Sequence, residues 1–221
     1  MKTLHVGLGA LVTALGLCAF EGSAHAQSTD TERSDAWGSA TNITAVSAMG
    51  LVLLMPRVFY SDPEVTVGWK ARWHLSVLAP SMTLATLGLV NEIVLKDELK
   101  GFRPGCSDET TADPNCKSYG MFSSPTFGAF SAFGQGAGIF LVDTLKWSGG
   151  RFNFGPFMGD VVAPGVLAVI TGIGRSAGNW ESGGQVWGTA AASFAIGMGI
   201  GTLYAVTQRP ECGYTGSLIC W

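Results

Sequence analysis

Apolar residues gather in long runs nearly free of charge, and short polar stretches separate them. An early run extends from Val6 to Phe20, and longer ones follow it. Trp37–Pro56, Trp73–Asn91 and Ser182–Gln208 carry no formal charge. Ser118–Val142 is uncharged until Asp143, and Phe152–Gly174 is interrupted only by Asp160. Each of the later runs approaches or exceeds the roughly 20 residues that a helix needs to cross a bilayer. So many in one short chain are too much apolar length for the buried helices of a water-soluble core. The pattern predicts an all-α, polytopic membrane bundle of five spans, or six if the first run is retained as a helix.

Composition agrees. Charged residues are only 13% of the 221, and mean hydropathy is +0.31. A net charge of −3 with no basic tract excludes a nucleic-acid partner. Glycine is abundant, and the pairs Gly134/Gly138, Gly184/Gly188 and Gly197/Gly201 have the spacing that lets membrane helices approach closely. Pro80 and Pro164 are expected to kink their helices.

Residues 1–26 read as a secretory signal, with Lys2, the apolar run and Ala24-His25-Ala26 as the cleavage site. A polar segment, 27–36, precedes the helical domain, 37–208, and a tail, 209–221, follows it. Cys106 and Cys116 flank a polar loop and are expected to pair in an oxidising compartment. Cys212 and Cys220 bracket a Gly/Ser turn, and their pairing is left open.

Short basic loops set the orientation. Arg57, Lys70 and Arg72, then Lys146 and Arg151, then Arg209 belong to loops expected in the cytoplasm. The loops holding Lys96–Lys117 and Arg175–Glu181 then face the periplasm, in a bacterial inner membrane. Asp143 and Asp160 fall near cytoplasmic span ends, where snorkelling or hydrogen bonding is the simplest role, and a proton or solute pathway the alternative.

Candidate chemistry lies on the outer side. Lys96 is followed after six residues by Arg103-Pro104, and Arg175 after five residues by Glu181, then after three by Gln185. Between them, Phe122-Ser-Ser-Pro-Thr-Phe-Gly-Ala-Phe130 opens the third span. In spacing and position these stretches resemble the three motifs of the type 2 phosphatidic acid phosphatase superfamily, which also includes vanadium haloperoxidases. The resemblance covers most of residues 40–208. It implies that Lys96, Arg103 and Arg175 hold phosphate oxygens, with Ser124 and Thr126 beside them; no cofactor or metal ligand set is expected from the sequence. Arginine suits that task because its planar fork matches phosphate oxygens in pairs.

The catalytic positions depart from the family. Its nucleophilic histidine, the aspartate that orients it and its acid histidine fall here on Glu181, Gln185 and the Pro125/Thr126 region. Of three histidines, His5 and His25 lie in the signal, and His74 belongs at the far end of its helix. A bilayer roughly 30 Å thick separates it from the arginines. Hydrolysis is therefore expected to be absent or vestigial, and the expected partner is a membrane lipid with a phosphate headgroup. An active phosphatase with altered groups and a small transporter or structural envelope protein remain as alternatives. So does a closed network of Arg103, Arg175 and Glu181 with no ligand.

Overall fold

The computed structural model describes residues 33–54, 75–99, 101–106, 116 and 119–207. The signal, most of the polar segment, the Arg57–Arg72 loop, His74 and the C-terminal cysteines lie outside these residues. The described chain is all-helical, with no strand among those residues. Its helices are α1 (Asp35–Leu54), α2 (Leu75–Val90), α3 (Lys96–Leu99), α4 (Ser124–Val142), α5 (Phe154–Pro156), α6 (Ala163–Ala177) and α7 (Gly183–Thr207). Wider π-helical stretches lead from α2 into α3 (Asn91–Leu95), follow α4 (Asp143–Trp147) and lead from α5 into α6 (Phe157–Val162).

Four stretches are long and apolar enough to cross a membrane: Asp35–Leu54, Leu78–Leu99, Phe154–Ala177 and Gly183–Thr207. Their outward side chains are apolar, among them Ile43, Met82, Leu89, Ile93 and Leu203. An oily exterior of this kind is what a multi-pass protein presents to lipid. The second span runs further than its apolar residues alone indicate, because the helix continues through the charged Lys96 cluster. Lys96 thus sits on a helix and is buried, rather than in a loop.

The third expected span, α4, is not among the four and occupies the centre instead. Its polar and small residues explain both facts: Ser131, Gln135 and its glycines are buried against neighbours. A Cβ at Gly134 would lie 2.2 Å from the Phe194 carbonyl oxygen, and one at Gly197 would lie 2.0 Å from that of Ser131. Gly138 and Gly201 repeat this relation one turn on. The α4 and α7 backbones therefore meet directly, as two of the glycine pairs predict. The third pair does not behave so: Gly184 and Gly188 have open space beside them among the described residues.

α1 packs on α6, where Ala45, Ala48 and Ala168 are buried and the Thr44 and Thr171 hydroxyls meet at 2.7 Å. Aromatic residues fill the centre, with Phe133 against Phe194 and Phe130 against Trp187. Pro164 sits in the first turn of α6, directly after a π-helical stretch. It lies inside the continuous helical span Phe154–Ala177, where proline removes a donor and the wider turns just before it are where the helix adjusts. The alternation of helices brings the start of α1, the end of α3, the start of α4, the end of α6 and the start of α7 to one end of the bundle.

Candidate functional site

Three segments distant in sequence meet at that end. Arg175 lies in the last turn of α6, and the chain then folds back, with Trp180 N–H and Glu181 N–H donating to the Arg175 carbonyl. Asn179 adopts a left-handed conformation (φ 56°) in this reversal, which asparagine tolerates better than most residues. The fold-back delivers the Glu181 carboxylate to the Arg175 guanidinium. Nε donates to one oxygen at 2.6 Å and Nη2 to the other at 2.5 Å. Both side chains are almost fully buried.

Trp180 is the plate on which the arginines gather. The guanidinium carbons of Arg33, Arg103 and Arg175 lie 5.8, 5.6 and 5.0 Å from its ring centre. The electron-rich ring face attracts each cation. Arg33 arrives with the chain before α1: Ser34 N–H donates to the Gly178 carbonyl, and the Trp180 indole donates to the Ser34 carbonyl at 3.0 Å. Arg33 Nη2 also donates to Cys106 Sγ at 3.3 Å. The Cys106–Cys116 disulfide is formed, with its Cα atoms 5.6 Å apart, and it anchors the loop that carries Arg103.

Gln185 holds the same loop from the other side. Its amide donates to the Phe102 carbonyl at 2.7 Å, and its side-chain oxygen accepts from Ser182 N–H at 2.9 Å. Ser182 Oγ accepts in return from Gln185 N–H at 3.3 Å. This reciprocal pair is a capping box that starts α7. Gln185 is therefore a structural clamp and does not orient Glu181.

Lys96 is held by Glu92 at 2.7 Å, and the Ser124 hydroxyl donates to the same Glu92 oxygen. Thr126 is fully buried beneath the first turn of α4, where its N–H donates to the Ser123 hydroxyl. It lies below the surface that an external ligand would meet, and its hydroxyl has no hydrogen-bond partner among the described residues.

Arg103 differs from Arg175, whose fork Glu181 fills. It is half-buried, and its Nε is shielded from solvent without a hydrogen-bond partner among the described residues. Burial pulls its pKa below the ordinary arginine value; Glu181 pushes it back up, Arg33 and Arg175 pull it down, and Glu92 raises it. A base so depressed carries its charge at a cost across the neutral range, and that cost disappears only as pH rises through the lowered value. Around Arg103, two arginines (Arg33 and Arg175) and two carboxylates (Glu181 and Glu92) act on its charge.

Sequence spacing brought out Lys96, Arg103, Arg175 and Glu181, and the fold gathers them at one end. Arg33 and Trp180 were not singled out. Trp180 had a local signal, an aromatic residue inside a polar loop between Arg175 and Glu181; Arg33 had none. Among the described residues no cluster of three or more potential metal-binding side chains occurs. No protein-family profile, curated protein or solved structure matches the chain.

Proposed function

We propose that this chain is a multi-pass membrane protein that binds a phosphate-bearing lipid headgroup at its arginine end without hydrolysing it at enzymatic rates. In this reading it is a catalytically silent relative of type 2 phosphatidic acid phosphatases, in a bacterial inner membrane with the arginines towards the periplasm. The observation that carries the proposal is Arg103: a half-buried guanidinium with an unpartnered Nε, made costly by burial and by two neighbouring arginines. An anion would supply an acceptor to Arg103 Nε and ease the repulsion from the two neighbouring arginines. Turnover would need a nucleophile, and the Glu181 carboxylate has both oxygens engaged by Arg175. Gln185 has no acid–base capacity, and histidine is lacking among residues 75–207.

The test uses the full chain in nanodiscs of phosphatidylcholine with or without phosphatidate. Binding of phosphatidate, its loss by about ten-fold or more in Arg103→Gln, and no phosphate release are expected. Steady release of phosphate, or equal binding by Arg103→Gln, would overturn the proposal.

A further inference from the structure

We infer that Glu181 is a built-in competitor for this site: its carboxylate occupies the Arg175 fork that an arriving phosphate-type anion would otherwise take. The inference rests on the anion-binding reading above and adds to it how occupancy is restrained from within.

Carboxylate and phosphate use an arginine in the same way, through two parallel N–H donors. Glu181 satisfies that geometry on Arg175 and lies beside the same indole that carries Arg33 and Arg103. The resident carboxylate is thus close to Arg103, whose Nε has no acceptor among the described residues. Among the charged neighbours of Arg103, Glu181 has the largest effect, so it also damps the attraction that Arg103 offers to an anion. The carboxylate is delivered by a short reversal, residues 178–182, followed by Gly183 and Gly184, and a Cβ at Gly184 would meet nothing within 4 Å.

A group that helped bind or attack the ligand would weaken binding or turnover when neutralised. A competitor has the opposite sign: neutralising it strengthens binding. Glu181→Gln keeps the shape and one acceptor oxygen but removes the charge that makes the carboxylate a rival.

The experiment compares wild type with Glu181→Gln, as the full chain, in two arms. Inorganic phosphate is titrated into detergent-purified protein by calorimetry, and phosphatidate is titrated in phosphatidylcholine nanodiscs. Glu181→Gln is expected to bind about ten-fold more tightly. A gain in both arms identifies the bare phosphate group as the recognised element, and a gain only in nanodiscs identifies the lipid headgroup. Should Glu181→Gln fail to fold, Glu181→Asp, which retracts the carboxylate by one methylene, is expected to give a smaller gain of the same sign. Unchanged or weaker binding by a folded variant would overturn the competitor role while leaving the anion site standing. Absence of binding by wild type and variant alike, in both arms, would remove the site and the competitor together.

Discussion

The two ends of the bundle handle buried charge in opposite ways. At the arginine end, loops from distant segments converge on Trp180, a disulfide anchors one of them, and three guanidinium groups share one ring. At the other end the charges sit on the helices themselves. Asp143 and Asp160 are buried within π-helical stretches, and with Thr144, Ser148 and Asn153 they line a cavity with room for about one water molecule. Lys146 and Trp147 close a helix end there: Lys146 Nζ donates to the Val206 carbonyl at 2.8 Å, and the Trp147 indole donates to that of Ala205 at 2.9 Å. Side chains at the second end thus tie the end of α7 to the stretch after α4. At the first end, guanidinium groups from three segments share one indole, an arrangement that suits recognition better than support.

Substitutions can break this contrast, and the largest effect is expected at the Arg175–Glu181 pair. Arg175→Ala leaves a buried carboxylate without its counter-ion and should cost about 3–5 kcal/mol, read as a large drop in the thermal midpoint of purified protein. A drop no larger than that of a surface substitution would show that the pair is not buried as described. Next comes the disulfide. Cys106→Ser should cost about 2–3 kcal/mol and weaken phosphatidate binding, because the Arg103 loop loses its anchor. Reducing agent should do the same to wild type and nothing further to the variant. The smallest effects sharpen the contrast. Gln185→Ala and Lys146→Ala each remove a helix-end contact and should each cost about 1 kcal/mol or less. Only Gln185→Ala should also weaken anion binding, and equal binding losses would mean that the two ends are not separate in function.

Much of the architecture was legible in the apolar runs, because a bilayer requires length and low charge and α1, α2, α6 and α7 supply both. Boundaries shifted where charge continued on a helix, as at Lys96, or where the helix began before its apolar run, as at Asp35. The glycine spacing identified the α4–α7 contact but not which face of α7 was used, so Gly184/Gly188 was misread as part of a packed seam. At the site, motif spacing gathered Lys96, Arg103 and Arg175 and left the pairing of Glu181 open. Gln185 was read through family position, although Ser182-Gly-Gly-Gln185 carries a local capping signal of its own. Arg33 was beyond reach, since its role arises only when the start of α1 packs against the end of α6.

The placement of α4 bears on how the chain enters its membrane. Its glycines need another backbone beside them, and Gln135 donates to Ser81 at 2.9 Å on a neighbouring helix. Lipid offers neither, so α4 partitions poorly by itself. Its main companion, α7, lies later in the chain, so α4 is expected to settle only after that helix has been made.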